Sequence, residues 1–495
     1  MITLPNVKTV NTALFASGLI FNSALPLGAT PPPTGGSEVP YPASPNSLVT
    51  NNLAVGKTRQ SWELGGSVPA KMETRVMSNG VRVTRLTDAS ELAGTSNAYI
   101  VYSRYTPENT NGDLFLSFGD NSASSWVSNR TSGTVLAQLV HTNGATIGEN
   151  HEVRFDLSGN YPYTAYYRYG TGFYKIPDVR TPVPELVRDF AATSPSSTLI
   201  YNDVEGDSSN NSGHWAWMAA HYNGSTYVVD KYIHYNMYTD TVHTLVPDDL
   251  AGTNLAGEVG RTTFTYRPNM VEMSPDGTKF IMHHGRKWDD SAYGGNGIAW
   301  IGTWYDGAHA WPVDFDYATT TPVKISVGET HSGWAYRLDG KLCFVSQNNR
   351  TDMLDAIAAD GTGPTYAAPL IIGSHAEQGW VNGFHYGKMP PSRPGWALLG
   401  TYSNIDSPAY DTGYAVDGIF MMQMIAGAGQ VVIPIGSTNN RYAGSYRDEG
   451  PVAVNMHGNR LYISSNWGGT LGHSEVFVYE LPDNWDTWGN AQVAA

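Results

Sequence analysis

Two histidines, His214 and His234, stand ten residues either side of Gly224 in the stretch HWAWMAAHYNGSTYVVDKYIHYN. Asn223-Gly224-Ser225 between two aromatic-rich runs is a hairpin signal. Folding about Gly224 predicts that His214 faces His234 across an antiparallel pair, with side chains about 5 Å apart. Imidazoles at that spacing can pass protons near neutral pH, because free histidine titrates close to 6.5. The alternative is a pair of surface histidines at a sheet edge.

The elements that must position this pair repeat along the chain. Strand, tight turn, strand recurs seven times, with turns at Asn111-Gly112-Asp113, Ser158-Gly159-Asn160, Asn223-Gly224, Pro275-Asp276-Gly277, Asp339-Gly340, Arg393-Pro394-Gly395 and His457-Gly458-Asn459. Asn97, His151, His214, Asn269, His331, His385 and Gly450 occupy the equivalent slot, at steps of 54, 63, 55, 62, 54 and 65 residues. That period, with four strand-like runs per repeat, predicts an all-β fold: a seven-bladed β-propeller forming one domain. Gly80 to Leu86 is expected to supply the outer strand that closes the ring with the last blade.

The slot is expected just before each innermost strand, where the central funnel opens. It holds four of the 14 histidines in 495 residues, against roughly 0.2 expected by chance. In blade four, folding about Gly277 places Arg286 near Asn269, with His283, His284, Tyr266 and Arg267 close by. In blade two, Arg168 and Tyr169 face His151. A mouth rich in His, Arg and Tyr suits a substrate carrying carboxylates or sulfates.

The net charge of −15 argues against a nucleic-acid or anionic-membrane partner. The single cysteine, Cys343, rules out an internal disulfide. Residues 1–29 read as a secretory signal, 30–47 as a Pro/Gly/Ser linker and 48–495 as the propeller. A secreted (periplasmic, if bacterial) monomer is expected.

Glycoside hydrolysis usually needs two facing carboxylates, which the slots before Glu449 do not supply. There is no Gly-x-Ser-x-Gly elbow, phosphate loop or His-Glu-x-x-His. Arg, His and Tyr instead suit β-elimination on a uronic acid. A cation neutralises the carboxylate, a base takes the neighbouring proton, and an acid protonates the leaving oxygen.

The His pair at the ends of one hairpin and an arginine ending the next resemble propeller polysaccharide lyases. So do the stretches HSGWAYRLDGKLCFVSQ, SRPGWALLG and EGPVAVNMHGNRLYISSNWG. Ulvan lyases are the first resemblance and rhamnose–glucuronate lyases the second, over roughly residues 95 to 482. The resemblance implies cleavage of rhamnose–uronic acid (glucuronate or iduronate) linkages in an acidic polysaccharide. It makes His214 and His234 the catalytic histidines and Arg286 the carboxylate-neutralising arginine. The family's tyrosine at the entry to that arginine's hairpin is here Asn269, so Tyr266, three residues earlier, is the expected substitute. His151, Arg168, Arg267, Asn269 and His284 are expected to bind substrate. Family members can carry a metal ion, and His331, His385 and Gln347 would suit Zn or Mn. The acidic loop at Asp203, Glu205, Asp207 and Ser208 offers a Ca alternative. No organic cofactor is expected. The competing functions are a lyase on another uronate polymer, such as oligogalacturonate or arabinogalactan glucuronate, a non-catalytic carbohydrate-binding propeller, and a protein-binding scaffold.

Overall fold

The computed structural model describes residues 66–119, 124–224, 227–246, 269–284, 307–313, 320, 322–326, 331–348, 353–362, 366–369, 382–403, 417–424, 432–442, 448–470 and 472–487. Short strands and Gly-bearing turns build seven antiparallel sheets. The chain is a seven-bladed β-propeller. Listed from the axis outward, blade two comprises Arg154–Phe155, Ala165–Tyr169, Gly172–Ile176 and Glu185–Asp189. Blade three comprises Leu199–Tyr201, His214–Tyr222, Tyr227–Asn236 and Thr241–Leu245. Blade four comprises Met270–Met273, Lys279–His284, Gly307–Pro312 and Val323–Lys324. Blades five and six begin at Ser332–Tyr336 and Asn382–Tyr386.

The ring closes as expected. Arg82–Arg85 pairs with Glu475–Glu480, the third strand of blade seven, in the register Arg82↔Glu480 to Arg85↔Phe477. Glu475 fastens the closure by accepting from Arg85 Nη2 at 2.7 Å, Thr87 Oγ1 at 2.6 Å and the Ala89 amide at 3.0 Å.

Aromatic rings fill the gaps between blades. Phe173 of blade two packs 4.6 Å from Trp215 and 4.8 Å from Trp217 of blade three, centroid to centroid. Cys343 is buried in the core. Charged side chains tie the inner strands across the axis. Arg104 donates to the Ser332 carbonyl at 2.6 Å and lies 3.3 Å from Glu272. Asp207 pairs with Lys388 and lies 3.5 Å from Arg154. Asp207 is thus a buried cross-blade anchor.

The blade-three slot needs correction. The inner strand there is Leu199–Tyr201, and His214 opens the second strand. Second strands run antiparallel to first strands, so His214 sits at the opposite end of the ring from His331, which precedes a first strand. His385 lies within its inner strand rather than before it. The three-residue inner strand and the long connection after it carry no repeat signal.

Candidate functional site

The histidine pair forms, though not in the expected register. His214 pairs with Asn236 and Ala216 with His234. A bulge leaves Asp230 without a cross-strand partner, where His221 Nδ1 lies 2.9 Å from its carboxylate. The diagonal relation still brings His214 Nδ1 to 3.0 Å from His234 Nε2. The rings are parallel within 1°, with centroids 5.3 Å apart. His243 on the outermost strand faces His234 directly and extends the stack at 5.6 Å. Sequence reasoning missed His243, which a count about the next turn, at Tyr238-Thr239, would have found.

Blade four supplies the other wall. A Cβ on Gly277 would lie 2.9 Å from His214 Cδ2. Burial lowers the pKa of His214 and nearby Asp276 partly restores it. His234 is 4% exposed. Burial, then the imidazoles of His214 and His243, push it down to about 4, against the Val313 backbone. Both rings are neutral at pH 7.

At the opposite end of the ring, a second cluster lines the axis. His331 and His385 stack at 4.6 Å, parallel within 6°. Tyr102 sets its ring edge-on to both, and Tyr402 stacks 5.0 Å from His385. Glu449 Oε2 lies 3.3 Å from His385 Nε2, and Tyr402 and Tyr442 hydrogen-bond the same carboxyl group. Burial raises Glu449 to about 7. Burial lowers His331 to about 4 and His385 to about 3. His331 Nδ1 lies 2.6 Å from the Phe384 carbonyl, so it carries the proton and Nε2 keeps a lone pair. Tyr102, Tyr402, Tyr442 and Glu449 were not singled out from sequence. Only Glu449, one residue before the blade-seven slot, stood where a signal could point.

The other predicted residues that the structure describes, His151, Arg168, Asn269, His284 and Gln347, lie at the His331 end, away from the dyad. His151 stacks on Tyr169 at 5.3 Å, as the fold across the Ser158-Gly159-Asn160 turn predicts. Arg168 lies beside it, 3.8 Å from Glu152. Met270 pairs with His283, so Asn269 falls opposite His284. The turn itself lies at Pro275-Asp276-Gly277, as expected, with the Gly277 amide donating to the Ser274 carbonyl at 2.8 Å. Asn269 and His284 lie at the His331 end of blade four, about 20 Å along the strand from the turn that touches His214. Tyr266, Arg267 and Arg286 lie outside the described residues. Gln347 extends the Ser332↔Ser346 pairing by one position and so falls opposite His331. The stacked rings of His331 and His385 direct their lone pairs into parallel planes, which does not fit one shared metal ion. Among the described residues, no three His, Cys, Asp or Glu side chains are grouped to hold one.

No protein-family model matches the sequence, and no curated protein matches it. Among solved structures the chain is similar to an oligogalacturonate lyase from Vibrio parahaemolyticus. The TM-score is 0.52 and the identity 11%, over 85% of this chain and 100% of that one. It also matches hydrazine synthase of Kuenenia stuttgartiensis at TM-score 0.38 and 10% identity, over 79% of this chain and 96% of that one. The Swd1 β-propeller domain of Myceliophteria thermophila gives TM-score 0.43 and 10% identity, over 78% and 99%. At 11% identity the likeness to the oligogalacturonate lyase is one of fold.

Proposed function

We propose that the chain is a lyase that cleaves a uronate-containing polysaccharide by β-elimination. Rhamnose–glucuronate and rhamnose–iduronate polymers of the ulvan type are the first substrates to test, and oligogalacturonate is the next. The observation that carries this function is the 3.0 Å contact between two neutral imidazoles, one half-buried and one buried. In the reaction, an imidazole takes the proton beside the uronate carboxyl. The C–H electrons form the C4=C5 double bond, the C4–O bond breaks, and the imidazolium so formed returns its proton to the departing oxygen. Asp276 beside His214 favours the imidazolium that forms. The similarity to an oligogalacturonate lyase supports the proposal at the level of fold.

A second location for the same chemistry is favoured by the fixed lone pair of His331 and by Asn269 and His284 lying at that end. One assay separates the two. Unsaturated uronate absorbs at about 235 nm, so absorbance is followed on ulvan, gum arabic, pectate and alginate, with base removal expected to cost ~10²–10⁴ in rate. Loss with His214→Ala and not with His331→Ala supports the dyad, and the reverse supports the axial cluster. Binding without any rise on any polymer would overturn lyase activity in favour of a carbohydrate-binding propeller.

A further inference from the structure

The loop that delivers His214 also presents an aromatic ring to solvent. Among the described residues the exposed tyrosines are Tyr161, Tyr222 and Tyr238. The two most exposed, Tyr161 at 61% and Tyr238 at 59%, belong to turns at the dyad's end of blades two and three, whereas Tyr222 ends the His214 strand at the other end of the ring. Tyr238 is held in place. Its hydroxyl donates to the Asn211 carbonyl at 2.5 Å, and its amide donates to Asn236 Oδ1 at 3.0 Å. Its ring lies on the Gly213 main chain, where a Cβ would come within 2.1 Å of Tyr238 Cε2. The missing side chain at Gly213 makes room for the ring, whose other side is open to water. The supporting loop is tied down as well. Asn211 Oδ1 accepts from Ser209 Oγ at 2.6 Å and from the Gly213 amide at 3.0 Å. Ser212 Oγ accepts from the Leu157 amide of blade two at 2.8 Å, and the Asn210 amide donates to the Pro275 carbonyl of blade four at 2.8 Å. One loop thus joins three blades, with Tyr161, four residues after Leu157, on its blade-two side and His214, against Gly277, on its blade-four side.

We propose that Tyr238, with Tyr161 beyond it, is a stacking subsite for a pyranose ring of the polysaccharide, beside the sugar that reacts at the His214–His234 pair. The inference rests on the proposed lyase activity for the place of the reacting sugar. Gly213 and His214 are consecutive, ~3.8 Å apart at Cα, so a sugar on Tyr238 is a near neighbour along the polymer of one at the imidazoles. The apolar C–H face of a pyranose packs on the open side of the ring, while the hydroxyls at its rim keep their water. A tyrosine loses little side-chain freedom in such a contact, and here the bond to Asn211 has already fixed it. Stacking needs no positive charge, so it holds a sugar on a chain whose net charge is −15. The polymer then runs across the end of blade three, from blade two toward blade four.

The test measures binding and turnover separately on the full chain. Dissociation constants for ulvan, gum arabic, pectate and alginate are read by affinity gel electrophoresis, and KM and kcat by uronate absorbance on any polymer that is cleaved. Tyr238→Ala should weaken binding and raise KM about 3–10-fold, with kcat within about twofold. Tyr238→Phe, which keeps the ring, should stay within about twofold in all three, and so should Tyr222→Ala at the other end of the ring. A fall in kcat at unchanged KM in Tyr238→Ala would make the ring a support for the His214 loop and overturn the subsite. Equal weakening in Tyr222→Ala would overturn it too. Cleavage with binding and KM unchanged in Tyr238→Ala overturns the subsite and leaves the lyase standing. Binding that weakens in Tyr238→Ala without cleavage of any polymer keeps the subsite and overturns the lyase. Absence of binding to any of these polymers overturns both.

Discussion

Gly277→Ala isolates what the blade-four wall does for His214. Gly277 has φ +72°, a conformation in which an L side chain costs about 1–2 kcal/mol. The new methyl carbon would stand 2.9 Å from His214 Cδ2 and 3.3 Å from Ser209 Cβ, inside the ~3.5–4.0 Å optimum for carbon pairs. The Ser209 contact is backed by main chain, so the imidazole must yield by several tenths of an ångström. Its 3.0 Å bond to His234 is then stretched or lost, a further ~1 kcal/mol. Gly340, in the equivalent turn of blade five, is the control. It has φ +82° and nothing within 4 Å of its added methyl. Both variants carry the backbone cost, and only Gly277→Ala carries the contact. A 495-residue chain shifts its Tm by on the order of 1 °C per kcal/mol, so urea midpoints are the better readout. Gly277→Ala should be about 1 kcal/mol less stable than Gly340→Ala, and the gap should close in a His214→Ala background. Misplacing a reacting group by ~1 Å can cost ~10²-fold, so lyase activity should fall about 10–100-fold in Gly277→Ala and stay within about twofold in Gly340→Ala. Equal stability and equal activity in the two variants would refute the role given to this wall.

Three further outcomes follow from the buried charges. Lys388→Met strips Asp207 of its closest cation and leaves Arg154 at 3.5 Å, which should cost about 3–5 kcal/mol in urea unfolding. Glu475→Gln weakens the closing strand by about 1–3 kcal/mol, and limited proteolysis should then cut first near residues 82–87. Burial pushes His151 and His385 down to about 3, and His234, His283 and His331 down to about 4, from the ordinary 6.5. The unfolded chain therefore takes up protons that the native one refuses. Stability is full above about 6.5 and falls as pH drops toward 4, by up to ~1.4 kcal/mol per pH unit for each group. Glu449, raised to about 7, has the opposite sign, its contribution fading as pH rises from 4.5 through 7. Urea midpoints between pH 7.5 and 5.5 should fall, and fall less steeply in His385→Gln.

What could be seen in the sequence was what local chemistry decides. Turns such as Pro275-Asp276-Gly277 and Asp339-Gly340 announce themselves by residue type, so the seven repeats and the closing strand were legible. The partnership of His151 with Tyr169 followed from one hairpin count. Leu199–Tyr201 was hidden because three residues carry no alternation, and missing it reversed the end assigned to His214. The bulge at Asp230 was hidden because it leaves the hairpin pattern unmarked. The Tyr102, Tyr402, Tyr442 and Glu449 cluster carried no local signal because its members lie far apart in sequence, Tyr402 on blade six, Tyr442 and Glu449 on the connection to blade seven, and Tyr102 near the start of the ring.

The closing strand has a consequence for how the chain acquires its shape. Arg85 and its partner Glu475 are 390 residues apart in sequence. At ~5–20 residues per second of synthesis, the first of them waits roughly 20–80 s for the second to exist. Throughout that interval Arg82–Arg85 is an unsatisfied strand edge and the nascent ring is open at blade seven. Closure of the ring is therefore the last and most non-local event in its assembly, and the step at which a chaperone or a second copy of the strand would compete.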